Sequence, residues 1–377
     1  MKRKQFLSIC GLAGLVPNWA GYFPNHGRMT RETVPGNTRP RIDFEKIRLE
    51  LFHTWSISRG SSNAKENVLV YYSCQGKTGV GEAAHLTAAG QDAERTISEL
   101  KQLIPLYEKT DPWYYYDLPA RAAAIVSHPA PAKAALDIAQ LDWVGKMLGI
   151  PLFRLFGIDP RCQTPTSFSI GLDRPEVIAG KVAEAEPYRV LKVKLGRADD
   201  EEIVRRLRQV SAKPLRVDAN EGWSDKQTAL RKIEWLAGQG VELVEQPLPR
   251  HMIEESRWLK ERSPLPVIAD ESCQTARDIP RMAGAFHGIN IKLMKAGGIQ
   301  EALRMFGLAR MMALDTMLGC MIESSVGISA AVQLQPLARW LDLDGSLLIR
   351  NDPFRGADFR NGGWLAPAGP GIGVEKR

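Results

Sequence analysis

Polar residues end successive short apolar runs in the second half of this 377-residue sequence, at an almost even spacing. The intervals are 24, 27, 25 and 22 residues, and the residues are Lys194, Asp218, Glu245, Asp270 and Lys292. Three carboxylates at one site would repel one another unless a cation lay among them. Oxygen ligands without histidine or cysteine favour a hard divalent ion. The pattern therefore predicts a site for Mg²⁺, with Mn²⁺ as a substitute.

The lysines around these acids predict proton transfer. Lys194 and Lys292 precede and follow the acids along the chain, so we expect them to enter the site from opposite sides. A lysine is a general base at neutral pH only if its pKa is lowered, and a neighbouring cation lowers it. Here the cations would be the metal and Lys192, which lies on the same strand face as Lys194. Two such bases could remove a proton from one face of a carbon and return one to the other, as in a racemase or epimerase. If that carbon bears a carboxylate group, the metal would stabilise the enediolate that forms when the proton is removed.

The elements that must position these residues are β-rich runs that alternate with amphipathic stretches after Pro160. The predicted strands are 166–170, 190–195, 215–218, 241–245, 267–270, 289–293, 317–321 and 341–343. Two of the predicted helices are 199–211 and 224–237, the second opening on a capping box at Ser224. Eight strands with repeated βα connections indicate a parallel barrel, in which the carboxyl ends of all strands face one mouth. The sequence contains neither GxGxxG nor GxxxxGK, so a dinucleotide or P-loop site has no support.

The first part of the chain body predicts a separate α+β domain. Residues 42–51 and 67–72 are β-like, 78–81 predict a turn before Glu82, and 91–107 and 133–148 have helical periodicity.

The N-terminal 41 residues differ in charge from the rest of the chain. They carry seven basic residues and one acid, whereas the remainder has 43 basic and 42 acidic residues. The overall charge of +7 therefore gives no support to nucleic-acid binding. A basic start followed by a short apolar run predicts an export signal of twin-arginine type and a periplasmic protein, with a cytoplasmic enzyme as the alternative. No stretch is long enough to span a membrane stably.

Five segments resemble the enolase superfamily, muconate-lactonizing-enzyme subgroup. They are Lys192–Lys194, Asp218–Asn220, Glu245–Pro247, Asp270–Ser272 and Ile291–Gly298. The resemblance implies a modified (β/α)7β TIM barrel over residues 159–345, with an α+β N-terminal capping domain over 42–158. Residues 346–377 would return to the capping domain.

The same resemblance implies roles for the individual residues. Lys194 and Lys292 would form the acid/base pair, with Lys295 as a competing candidate. The Mg²⁺ ligands would be Asp218, Glu245 and Asp270, and Asn220 and Glu271 would support them.

Two later segments, Leu318–Ser325 and Leu341–Gly345, are similar to dipeptide epimerases. In that group Asp342 and Asp344 would bind the free ammonium of a dipeptide, and the α-carbon of its C-terminal residue would be inverted. Further substrate-binding candidates are Lys192, Met321, Ser324 and Arg59. An arginine that reads glutamate in Ala-Glu epimerases falls on Gly60 here, which predicts small or hydrophobic side chains at the inverted residue. By analogy we expect a homo-oligomer.

Three alternatives remain at this point. An N-acylamino-acid racemase or o-succinylbenzoate synthase would share the lysines but have no ammonium for Asp342 and Asp344. A sugar-acid dehydratase would need a late histidine base, and His287 precedes its strand. A non-catalytic periplasmic peptide binder would not require both lysines.

Overall fold

The computed structural model describes residues 39–57, 60–85, 90–161, 164–171 and 175–377. All but the last three residues of the predicted export segment lie outside these ranges, so the signal and the cellular location stay predictions. Within the described part of the chain, no helix has the length and apolar character needed to cross a membrane. Cys74, Cys273 and Cys320 form no disulfide with one another, and Cys162 lies outside the described residues.

The capping domain packs three helices against a three-stranded antiparallel sheet. Its strands are β1 (Arg41–Ile57), β2 (Gly60–Cys74) and β3 (Lys77–Ala83), and its helices are α1 (Ala93–Glu108), α2 (Leu118–Ile125) and α3 (Pro131–Leu148). Helix α3 is buried along most of its length because it lies between this sheet and the barrel.

The turn predicted at 78–81 is wrong, because these residues belong to β3 and pair with β2 from Lys77 to Ala83. The glycines serve close packing rather than a turn. A Cβ on Gly81 would overlap the carbonyl oxygen of Ala135, and one on Gly79 would lie 2.5 Å from the backbone nitrogen of Trp143. Both contacts are with α3, so the missing side chains let the helix approach the sheet.

Eight parallel strands form the second domain and confirm the predicted barrel. They run in the order of the chain, and a bridge between Thr166 and Leu341 joins the first to the last. The strands are β4 (Ser167–Ile170), β5 (Val190–Lys194), β6 (Leu215–Asp218), β7 (Val241–Glu245), β8 (Val267–Ala269), β9 (Gly288–Lys292), β10 (Asp315–Gly319) and β11 (Trp340–Asp342).

Helices connect each strand to the next, which gives the (β/α)7β order. After a short α4 (Leu152–Leu155), they are α5 (Pro175–Glu184), α6 (Asp200–Val210), α7 (Lys226–Ala237), α8 (Ile253–Lys260), α9 (Ile279–Met282), α10 (Leu293–Ala296), α11 (Ile299–Met311) and α12 (Ser325–Val332). The capping box predicted at Ser224 does not form: Asp225, one residue later, is the N-cap of α7, and its side chain accepts from the N–H of Thr228.

The last residues of the chain contact the capping domain. This segment holds β12 (Phe354–Arg355), β13 (Asp358–Arg360), β14 (Gly363–Leu365) and β15 (Glu375–Lys376). The N–H of Arg350 donates to the carbonyl of Glu50 over 2.9 Å, beside a bridge between Leu51 and Ile349. Farther on, the N–H of Ile372 donates to the buried carboxylate of Asp142 in α3 over 2.9 Å.

Candidate active site

The three predicted metal ligands meet at the mouth of the barrel. Asp218 and Glu245 are the last residues of β6 and β7, and Asp270 directly follows β8. All three are buried, and one carboxylate oxygen of each lies within 4.8 Å of the others. An all-oxygen set of carboxylates at this separation fits a hard divalent cation, so these residues could hold Mg²⁺. The side-chain amide of Asn290 on β9 donates to Glu245 Oε1 over 2.7 Å and fixes that ligand's orientation.

Lys194 and Lys292 flank this triad from opposite sides, as expected from their strands β5 and β9. Lys194 Nζ lies 2.6 Å from Asp218 Oδ2, and Lys292 Nζ lies 2.8 Å from Asp270 Oδ2. Burial acts to lower the pKa of Lys292, but the charges of Asp270 and Glu245 outweigh it, and the pKa is raised. In this arrangement the ammonium groups neutralise the same carboxylates that a metal ion would bind.

Nearby lysines also set the protonation of two of the three triad carboxylates, Asp218 and Asp270. Although burial raises the pKa of Asp218, Lys194 and Lys192 outweigh it and lower that pKa to about 2. Asp270 behaves in the same way, its pKa lowered by Lys292 despite burial. Both carboxylates are therefore ionised, as metal ligands must be.

Lys192 is a fixed cation at the centre of the site. Its side chain is 1% exposed, and its Nζ lies 2.6 Å from Asp342, 2.7 Å from Glu245 and 3.2 Å from Asp218. Burial alone would lower the pKa of Lys192, but these three carboxylates raise it well above its usual range. Lys192 is thus suited to hold charge in place and not to accept a proton.

Asp342 and Asp344 lie together but have different partners. Asp342 accepts from Lys192 and, over 2.7 Å, from the hydroxyl of Ser167 on β4. Asp344 accepts from the N–H of Ser169 over 2.7 Å, and no lysine, arginine or histidine of the described residues forms an ion pair with it. Burial and the charge of Asp342 raise the pKa of Asp344 to about 6. Asp344 is therefore the carboxylate of this pair that still has room for a cation.

Of the two supporting residues, Asn220 touches the triad directly. Its N–H donates to Asp218 Oδ1 over 3.0 Å, and its amide approaches Glu271 Oε1 at 3.4 Å. Burial, followed by the charges of Asp270 and Asp218, raises the pKa of Glu271 to about 8.

Lys295 contacts Oδ1 of Asp270, the oxygen that Lys292 does not contact, but its other hydrogen bonds indicate a structural role. Its Nζ also donates to the carbonyls of Asp270 (2.8 Å), Cys273 (3.1 Å) and Asn290 (3.1 Å). An ammonium whose protons are engaged by backbone oxygens is poorly placed to exchange one with a substrate. This geometry favours Lys292 as the base.

The remaining residues predicted to bind substrate are Ser324, Met321 and Arg59, and no hydrogen bond within the described part of the chain joins the first two to the triad. Ser324 caps α12, and its N–H and hydroxyl donate to Glu82 of β3, the hydroxyl over 2.6 Å. The N–H of Met321, in the loop after β10, donates to Glu323 over 2.7 Å. Arg59 lies outside the described residues. His287 precedes β9 at the end away from the mouth, where its Nδ1 accepts from the N–H of Val267.

Glu82 joins the capping domain to the mouth of the barrel, a contact that sequence reasoning missed. Its buried carboxylate accepts from the side-chain amide of Asn67 over 2.7 Å and, across the domain boundary, from Ser324 and the N–H of Gly327. The polar pair at Ser167 and Ser169 was also missed, although their spacing of two on a short strand is the signal of one shared face.

The fold and the site together define a barrel enzyme in which a buried carboxylate triad lies between two lysines. The C-terminal part, residues 177–377, matches the family described as enolase C-terminal domain-like. Residues 47–157 match the mandelate racemase / muconate lactonizing enzyme N-terminal domain. The chain belongs to this enolase superfamily, as its motifs predicted.

Several relatives of this chain are named epimerases. An L-Ala-D/L-Glu epimerase of Bacteroides thetaiotaomicron is 40% identical over 337 residues, covering 89% of this chain and 88% of the relative. A hydrophobic dipeptide epimerase of Flavobacteria bacterium (strain MS024-2A) is 37% identical, covering 89% and 97%. The structure of an Enterococcus faecalis V583 dipeptide epimerase with Mg and L-Leu-L-Tyr superposes with a TM-score of 0.84 at 28% identity, covering 90% and 99%. These relatives confirm the predicted enzyme class, an isomerase.

Proposed function

We propose that this protein is a Mg²⁺-dependent dipeptide epimerase that inverts the α-carbon of the C-terminal residue. The observation that carries the proposal is the placement of Lys194 and Lys292 on opposite sides of a buried carboxylate triad, with a separate acidic pair toward β11. When bound, Mg²⁺ would hold the substrate carboxylate and stabilise the charge that develops on it.

The lysines perform the proton transfer in this proposal. One ammonium or amine from β5 faces one side of the α-carbon, and the other, from β9, faces the opposite side. The base removes the α-proton while the opposite ammonium delivers one, so the configuration inverts. Lys192 stays protonated among its carboxylates and provides a constant positive charge beneath the reacting group.

The acidic pair supports a dipeptide in preference to an N-acylated amino acid. Lys192 and Ser167 already satisfy Asp342, whereas Asp344 accepts hydrogen bonds only from the neutral Ser169 among the described residues. A free substrate ammonium would supply its missing cation. An N-acyl group carries no such charge. It would leave the buried Asp344 without a counter-ion, which costs free energy.

The test is isotope exchange with a library of L,L-dipeptides. The protein is incubated with Mg²⁺ and the library in D₂O, and each dipeptide is examined for a mass increase of one unit. We expect exchange at the C-terminal residue that EDTA abolishes, with small or hydrophobic side chains among the best substrates. The wild-type protein without metal is the matched control.

The same assay, repeated with N-acylamino acids, decides between a dipeptide epimerase and an N-acylamino-acid racemase. Exchange of N-acylamino acids without exchange of any dipeptide would contradict the proposal and favour the racemase. Exchange of neither class, with Mg²⁺ shown to be bound, would contradict the two-base chemistry itself.

A further inference from the structure

A cavity of about 490 Å³ lies between the capping domain and the barrel. Helix α2 and the start of α3 line it on one side, and the loop after β8, α9 and α11 line it on the other. It lies next to the mouth, because Glu271 and Ser272 in its wall directly follow the metal ligand Asp270.

The wall of this seam cavity carries more positive than negative charge. Its five basic residues are Lys133, Arg250, Arg277, Arg281 and Arg304, and its three acidic residues are Glu271, Asp278 and Glu301. Two of these acids are engaged within the protein: Glu301 pairs with Arg304 at 3.1 Å, and Asp278 accepts from the N–H groups of Gln274 and Thr275. The cavity therefore has an excess of positive charge even if all three acids are ionised.

Three of the basic residues have no carboxylate partner among the described residues. Lys133 is 9% exposed, and its Nζ donates to the carbonyls of Val126 (2.9 Å) and His128 (2.8 Å), which carry no formal charge. Arg277 and Arg281 lie at the exposed rim, and neither forms an ion pair with the described part of the chain. Arg250, in contrast, is held by two hydrogen bonds to Glu221.

A buried ammonium that contacts only neutral acceptors is costly, and burial lowers the pKa of Lys133 accordingly. An anion in the cavity would relieve this cost and would also bind the two guanidinium groups in the geometry they favour for carboxylates and phosphates.

We propose that the seam cavity binds a small polyanion, carrying carboxylate or phosphate groups, through Lys133, Arg277 and Arg281. Lys133 belongs to the capping domain, whereas both arginines belong to the barrel, so the bound anion ties one domain to the other beside Asp270. This site is separate from the substrate site and does not depend on the proposed epimerase activity.

The experiment is titration calorimetry of the full-length, metal-free protein with citrate and with inorganic phosphate, at constant ionic strength. Omitting the metal prevents citrate from chelating it. The two probes separate a carboxylate site from a phosphate site. The test variant is Arg277→Ala/Arg281→Ala, since both side chains are exposed and their loss should leave the fold intact. The matched control is Arg206→Ala, an exposed arginine paired with Glu202 on α6.

We expect at least one probe to bind the wild-type protein with a Kd below about 1 mM. The double variant should bind it about tenfold or more weakly, and the control should match the wild type. Absence of binding to the wild-type protein, or equal binding by the double variant, would overturn the proposal. The exchange assay, run on the same variants, keeps this outcome separate from the test of the epimerase.

Discussion

At the scale of single residues, the two lysines should have separable effects because each faces one side of the α-carbon. A variant that lacks one base can still exchange the proton on the remaining base's face, without inversion. We expect Lys194→Ala and Lys292→Ala each to lower epimerisation by about 10³-fold. Each should retain α-proton exchange with a different epimer, as measured by NMR in D₂O.

Lys295 provides the comparison for that experiment. Because its Nζ anchors Asp270 and neighbouring carbonyls, Lys295→Met should reduce exchange from both epimers equally. If Lys295→Met lost exchange with only one epimer and Lys292→Ala did not, Lys295 and not Lys292 would be the base.

Asp344 should control the acid limb of the KM–pH profile, that is, the increase in KM at low pH. Its carboxylate must be ionised to bind an ammonium, and its pKa is raised to about 6 by burial and by Asp342. KM should therefore rise as pH falls through about 6, and rise again near pH 8 as the dipeptide amine loses its proton. Asp344→Asn should raise KM by about 30-fold, or roughly 2 kcal/mol, and remove the acid limb.

The control for this prediction is Asp358→Asn, on the exposed β13. It should leave KM and its pH profile unchanged. An acid limb that persists in Asp344→Asn would show that another group binds the ammonium.

The proposed catalytic and metal-binding residues were predictable because each ends an apolar strand where a polar side chain is unexpected. Their partners were not, since Asn290 and Ser167 look like ordinary polar residues until the barrel forms. Asn290 on β9 then reaches Glu245 on β7 past the intervening β8, and closure brings β4 beside β11. Glu82 is a stronger case: its hydrogen-bond donors are Asn67 and residues more than 200 positions away.

At the scale of elements, the barrel strands were predicted to within two residues, whereas β3 was taken for a turn. Short β-rich runs between amphipathic helices are typical of a parallel βα barrel, so the strand positions could be predicted from them. Glycines at 79 and 81 have the local signature of a turn, and only the packing of α3 against β3 reveals why they are there.

This packing leads to a stability prediction for Gly81→Ala. The added methyl group would overlap the carbonyl of Ala135 and lie 2.8 Å from the nitrogen of Ala139, and the backbone of α3 cannot move away locally. We expect a loss of about 3 kcal/mol in the free energy of unfolding, measured by urea denaturation.

Gly307→Ala is the matched control, since a Cβ at that position in α11 meets nothing within 4 Å. It should stabilise the protein slightly, by about 0.5–1 kcal/mol, because alanine favours the helix. Equal effects of the two substitutions would show that close packing is not the role of Gly81.

At the scale of the whole molecule, buried lysines offset the charge of the carboxylate triad. Lys192, Lys194 and Lys292 each lie within 3.2 Å of a triad carboxylate, so their ammonium groups offset the repulsion among the three acids. Asp218, Glu245 and Asp270 would hold Mg²⁺ through oxygens that these ammonium groups now contact, and Lys194 and Lys292 would then be free for the proposed proton transfer.

Removal of Mg²⁺ should accordingly abolish turnover while the protein stays folded. At 100 times its Kd, the ion adds about 2.7 kcal/mol, which for a chain of this size is a melting-temperature change of about 4 °C. We expect EDTA to leave the circular dichroism spectrum unchanged, to lower the melting temperature by that amount, and to stop exchange until Mg²⁺ is restored. Added NaCl at the same ionic strength controls for screening. Unfolding in EDTA would mean that the lysines do not compensate the triad, whereas full turnover in EDTA would mean that the triad is not a metal site.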